Sequence, residues 1–226
     1  MRITYYGHST VELTAGNTTY LIDPFLTPNP HTDAGIDDVD PDVILVSHGH
    51  QDHIADAKPI AAQTKADVIT NFEIANWLQD RGIETTKPVN HGGSIVTDDA
   101  TITYVNAVHS SVLPDGSYGG NPGGFIIETE DTTLYFSGDT ARHADMSLLG
   151  DDYDIDLSML CVGGTFTMDA EAAAKALSML DCEEAIGLHY DTFPPIEIDH
   201  EAAKNTFKEH GKTLRLLDPD TSITKS

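Results

Sequence analysis

Four apolar, mostly β-branched residues, Val43-Ile44-Leu45-Val46, run directly into Ser47-His48-Gly49-His50-Gln51-Asp52-His53. An apolar run of this length, bounded by turn-forming residues, reads as a buried strand. Its carboxyl end, where α/β sheets place their sites, carries three histidines and an aspartate within six positions. Packing gives no reason to gather such side chains there. His48 and His50 can reach one ion from a loop, whereas Asp52 and His53 project differently as the chain turns into a helix. The spacing suits two metal ions side by side better than one.

A chain of 226 residues accommodates one domain, expected over 1–226, with a substantial core. No apolar run approaches the roughly 20 residues of a membrane span. The opening Met1-Arg2-Ile3-Thr4-Tyr5-Tyr6 reads as a strand rather than a signal peptide, so the expectation is a cytoplasmic protein without a membrane partner. Charge is the compositional outlier: 37 acidic against 12 basic residues give a formal net charge of -25. Salt screens such self-repulsion, and the regular apolar periodicity argues against disorder, so we expect a halophilic protein. The charge argues against long nucleic acids as partners, because they need clustered Lys and Arg. Cys161 and Cys182 lack any Cys-x-x-Cys spacing and are expected reduced and buried.

Strands are predicted over 2–6, 10–14 and 18–23, the last two joined by a hairpin turn at Ala15-Gly16-Asn17. Gly7-His8-Ser9 interrupts the first pair; His8 is either a turn residue or a neighbour of the metals. Asp23 ends the third strand, as a cap or as a carboxylate that holds a ligand histidine from behind. After His53 the pattern predicts a short helix, or two broken by Pro59, then a strand at 68–70. Asn71 should cap a helix over 72–81 whose apolar face is Phe72, Ala75, Trp77 and Leu78. His91 is read as a loop histidine. Further strands are predicted at 101–108, 124–129, 132–136, 155–161 and 185–188, with a last one at 214–217. Helices are predicted at 169–180 and 199–210. The glycine- and proline-rich segment 112–124 is a candidate substrate mouth.

Three more candidate ligands, His109, Asp139 and His189, also fall at or just beyond predicted strand ends. In order, His48, His50, Asp52, His53, His109, Asp139 and His189 resemble the full metal-ligand pattern of the metallo-β-lactamase superfamily. The resemblance implies a four-layer αββα sandwich. It also implies that His48, His50 and His109 hold one divalent ion, that Asp52, His53 and His189 hold a second, and that Asp139 bridges them. Asp52 would additionally orient a hydroxide nucleophile shared by the ions. Imidazole and carboxylate donors without thiolate suit zinc, with manganese or iron as alternatives.

Tyr6-Gly7-His8-Ser9, His109-Ser110-Ser111, Gly138-Asp139-Thr140, Phe166-Thr167-Met168 and His189-Tyr190 resemble a group of small metal-dependent hydrolases similar to the ascorbate-phosphate lactonases. Where that group often carries a bulkier or charged residue, Gly163-Gly164-Thr165 is small. The expected function is cleavage of a small phosphodiester or a lactone- or ester-type substrate. The alternative is a non-hydrolytic iron-binding redox or metal-sensing protein on the same fold. His143, Thr167 and Met168 are candidate pocket residues, with ordinary packing as the competing role. Relatives commonly assemble, so a homo-oligomer is an expectation as well.

Overall fold

The computed structural model describes residues 1–225. Strands β1 (Arg2–Tyr5), β2 (Val11–Ala15), β3 (Thr18–Ile22), β4 (Val43–Val46), β5 (Asp67–Asn71), β6 (Thr86–Val89) and β14 (Thr221–Thr224) form one sheet, in the order β14-β1-β2-β3-β4-β5-β6. Strands β7 (Ser94–Val96), β8 (Thr101–Asn106), β9 (Gly123–Glu128), β10 (Thr133–Phe136), β11 (Leu157–Cys161), β12 (Glu184–Leu188) and β13 (Thr213–Arg215) form the second, ordered β13-β12-β11-β10-β9-β8-β7. Both sheets are mixed: β3 to β6 run parallel, as do β10 to β13, and the remaining pairs are antiparallel.

Helices α1 (Gln51–Ile54), α2 (Ala57–Thr64) and α3 (Phe72–Gln79) follow β4 and β5, and α2 and α3 pack on the first sheet. Helices α4 (Asp145–Asp152), α5 (Ala170–Met179) and α6 (His200–Glu209) cover the second. The result is the expected αββα sandwich. Strand β4 shows why. Val43 and Leu45 join the core shared with the second sheet, while Ile44 and Val46 join a separate cluster with Ile54, Ile60 and Leu78 under the helices. All four residues are buried, as a strand covered on both faces requires.

The helix caps explain where the helices begin. Asn71, Asp169 and Asp199 each accept the backbone N–H three residues on, at 2.9, 2.8 and 3.0 Å. Several expectations are corrected. Pro59 does not break a helix; it sits in the first turn of α2, where no intrahelical N–H is required, and the break falls at Ala55-Asp56. Helix α3 buries Ile74, Ala75 and Leu78, while Phe72 is 54% exposed and Trp77 lies at the margin, its indole N–H donating to Asp115 at 2.8 Å. Strands β6, β7 and β14 and helix α4 were not anticipated. Cys161 and Cys182 are free and buried, and no helix among the described residues is long and apolar enough to cross a membrane.

Candidate metal centre

The carboxyl ends of β4, β10, β11 and β12 meet at one rim of the sandwich, with the turn between β1 and β2 beside them. His48 leaves β4 fully buried, His50 immediately precedes α1, and Asp52 and His53 lie within that helix. The imidazoles of His48, His50 and His109 bring one nitrogen each within 4.8 Å of one another; His8, Asp52, His53 and His189 form a second such group. Asp139 Oδ2 stands between the groups, 3.6 Å from His109 Nε2, 3.4 Å from His53 Nε2 and 3.0 Å from His189 Nε2. All seven residues proposed from the sequence are therefore gathered at one place.

Surrounding groups dictate which way the rings face. Asp23 is buried beneath the histidine loop. Its Oδ1 accepts the Ser47 N–H at 2.7 Å, and its Oδ2 accepts the Ser47 hydroxyl at 2.6 Å and His53 Nδ1 at 2.8 Å. With Nδ1 donating to Asp23, His53 presents the lone pair of Nε2 to the cluster. Because the Ser47 hydroxyl donates to Asp23, it accepts from His48 Nδ1 at 3.0 Å, leaving His48 Nε2 free to point at His50 Nδ1, also 3.0 Å away. Outer partners that fix the tautomer of a ligand histidine are the usual accompaniment of a metal site.

His8 also belongs to the cluster. Its ring is buried, with Nε2 3.1 Å from Asp52 Oδ2 and Nδ1 2.9 Å from Thr192 Oγ1. Its carbonyl accepts the His189 N–H at 2.7 Å. His8, Asp23 and His189 all adopt left-handed backbone, with φ of 55°, 47° and 56°. Such conformations are costly for residues with a Cβ and collect at functional sites. Two glycines are needed for close approach. Gly138, with φ 56°, turns the chain into Asp139, and a Cβ on Gly163 would lie 2.0 Å from the His189 carbonyl oxygen. The small residue at 163 is thus required by contact with the loop bearing His189.

Electrostatics follow from crowding. Burial and the neighbouring His53 hold His48 well below the usual imidazole range. Burial opposes charge on Asp139, yet His189 and His53 outweigh it and keep the carboxyl well below the carboxylate range. His189 is likewise opposed by burial, but Asp139 and then Asp52 lift it to about 9. Burial pushes His8 down to about 4.

The remaining candidates lie farther out. Met168 is buried and its N–H donates to the Thr140 carbonyl at 3.1 Å, while half-buried Thr167 lines a neighbouring surface cavity. His143 does not join the cluster; its nearest charged neighbour is Asp145, with Nδ1 to Oδ2 at 3.8 Å. His91 stacks on Tyr104, as a loop histidine does. Thr192, Ser47 and Ser111 were missed. Ser111 Oγ accepts the Gly49 N–H at 3.0 Å and donates to the Gly119 carbonyl at 2.8 Å, tying the segment after His109 to the histidine loop. A cavity of about 520 Å³ lies at the opposite end of the sheets beside Asp42, Asp67 and Asp99, away from this chemistry.

The donor set fits metal. His53 Nε2 and Asp139 Oδ1 are buried without hydrogen-bond partners, a cost that coordination at such a centre offsets. Fold and site together define a metal-dependent hydrolase of the metallo-β-lactamase superfamily. Residues 2–189 match the model of the beta-lactamase superfamily domain. The chain belongs to the UPF0173 metal-dependent hydrolase family. It is 48% identical to the member from Methylacidiphilum infernorum and 48% identical to that from Christiangramia forsetii, covering 99% of each pair of chains. Among solved structures it is similar to Igni18, a metallo hydrolase from the hyperthermophilic archaeon Ignicoccus hospitalis. The two are 31% identical, with a TM-score of 0.91, over 100% of this chain and 98% of that one.

Proposed function

We propose that the protein is a dinuclear hydrolase of a small phosphodiester or lactone-type ester, with His48, His50 and His109 holding one divalent ion. Asp52, His53 and His189 hold the second, and Asp139 serves both. The observation that carries this reading is the placement of Asp139 Oδ2 within 3.6 Å of His109 in one group and 3.0 Å of His189 in the other. All-imidazole and carboxylate donors favour zinc, with manganese and iron as competitors. When bound, such a pair supplies Lewis acidity and brings the pKa of water from about 15.7 toward about 7.

The chain's own groups do the rest. Asp52 is 29% exposed and, braced by His8, turns a carboxylate toward the open side of the cluster, where it can orient a nucleophile and hold its proton. His50 is half-buried and His109 partly accessible, so a small substrate reaches the donors from that side. Buried Ser47, Asp23 and Tyr104, whose hydroxyl donates to the Ser47 carbonyl at 2.7 Å, keep the histidine loop from moving as substrate enters.

The test is hydrolysis of bis(4-nitrophenyl) phosphate and a panel of lactones by zinc- or manganese-loaded protein, alongside His48→Ala and Asp139→Ala. Loss of turnover and of bound metal in folded variants is expected. Turnover unchanged by both substitutions refutes the assignment.

A further inference from the structure

The loops around the cluster, 7–10, 23–42, 47–56, 107–122, 137–144, 162–169 and 189–199, contain a single one of the chain's 12 Lys and Arg residues: Arg142. Seven of the other cations are held in ion pairs with carboxylates, among them Arg81 with Asp115 and Lys212 with Glu183. Arg142 makes no ion pair or side-chain hydrogen bond among the described residues, and it is exposed. Leaving one guanidinium free on the site-bearing rim of a chain with net charge -25 needs a reason.

Its location supplies one. Arg142 lies three residues beyond Asp139, on a segment fixed from two sides. The Ala141 N–H donates to the Val108 carbonyl at 3.1 Å, and the Val108 N–H donates to Thr140 Oγ1 at 2.9 Å. On the other side, the Met168 N–H donates to the Thr140 carbonyl at 3.1 Å. The segment that leads into Arg142 thereby lies between Val108, the neighbour of His109, and the loop that ends at Met168. Together with Gly164, Thr165 and Thr167, Arg142 lines a surface cavity of about 250 Å³. Asp169 borders the same cavity, but its Oδ1 is engaged in capping α5. A guanidinium presents paired N–H donors that match a carboxylate or phosphate, and the surrounding acidic surface repels such groups elsewhere.

We propose that Arg142 is the specificity residue of this site: it binds a carboxylate or terminal phosphate that the substrate carries away from the bond being cleaved. The inference rests on the hydrolase reading and deepens it by naming an anionic substrate class. Arg142 touches the substrate's remote end, not the reacting atoms.

The test compares wild type, Arg142→Gln and Arg142→Lys, each zinc-loaded, on 4-nitrophenyl butyrate, on mono(4-nitrophenyl) glutarate and on the same ester ending in a phosphate. For Arg142→Gln, kcat/KM on an anionic ester relative to the neutral one should fall at least about tenfold, the size of one charge-assisted hydrogen bond. The fall should lie in KM, with partial recovery by lysine. The ester most affected tells carboxylate from phosphate. Equal effects on neutral and anionic esters, or none, overturn the proposal. If wild type cleaves neither these esters nor the phosphodiester and lactones above, the hydrolase reading fails first. Calorimetric titration of glutarate into the zinc-loaded proteins then decides the anion site alone: affinity lost at least about tenfold in Arg142→Gln supports it, and equal affinity overturns it.

Discussion

Nε2 of His8 lies 3.1 Å from Oδ2 of Asp52, while the other ring nitrogen lies 2.9 Å from the hydroxyl of Thr192. An ionised carboxylate only accepts, so Nε2 carries the proton and Nδ1 accepts from Thr192. His8 therefore acts as a donor that positions Asp52, although its ring is close enough to the cluster to resemble a ligand. Thr192→Val removes the donor that sets this tautomer, and His8→Ala removes the brace. Both should weaken metal affinity or activity by about 10–100-fold, as loss of such outer partners does. Elemental analysis after dialysis and steady-state kinetics check this; a full loss of one ion per chain in His8→Ala with Thr192→Val unaffected would make His8 a ligand instead.

Asp23 holds His53 and Ser47 at once, with no exposure to water. Asp23→Ala leaves the Ser47 N–H and His53 Nδ1 buried without an acceptor. A cost of about 3–5 kcal/mol is expected for breaking a buried pair of this kind. Chemical denaturation of the metal-free variant measures it, and a change below about 1 kcal/mol contradicts the role.

The metal-free protein should lose stability in alkali. His189 has a folded pKa of about 9, above the ordinary imidazole value of 6.5. A raised value means the contribution is complete below about pH 6.5 and disappears as pH climbs through 9. The Asp139–His189 pair counts once, for on the order of 1–3 kcal/mol. Urea midpoints at pH 6.5 and 9.5 report it. Zinc addition near pH 7 should release protons into a weak buffer, because coordination needs the unprotonated imidazole.

Salt should stabilise the fold. With a net charge of -25, self-repulsion opposes compaction until counterions screen it. Raising sodium chloride from millimolar to molar should increase Tm by more than about 5 °C, equivalent to at least ~1–2 kcal/mol for a chain this size. A falling Tm removes the halophilic reading.

The ligand cluster was legible because its residue types have no packing purpose at strand ends, and because β4 pairs an unbroken apolar run with that ending. The parallel core strands were legible for the same reason. Strand β6 was not, since Pro88 argues against a strand; it is tolerated because β6 is the last strand of its sheet. Strands β7 and β14 are short and mostly exposed, so neither carries an alternating apolar signal. Phe72 and Trp77 misled because bulk was taken for burial, whereas the α3 face is set by its 3.6-residue period through Ile74 and Leu78. Thr192 carries no local signal at all; only the approach of β12 to the first turn brings it to His8, 184 residues away in sequence.

The donors come from both sheets. His48, His50, Asp52 and His53 hang from the first, and His109, Asp139 and His189 from the second. Any cation seated there clasps two halves that otherwise adhere through oily side chains and a few hydrogen bonds such as that of Tyr104 to Ser47. A chelator should thus loosen the seam of the sandwich as well as silence the enzyme, making metal supply a determinant of how long each copy survives.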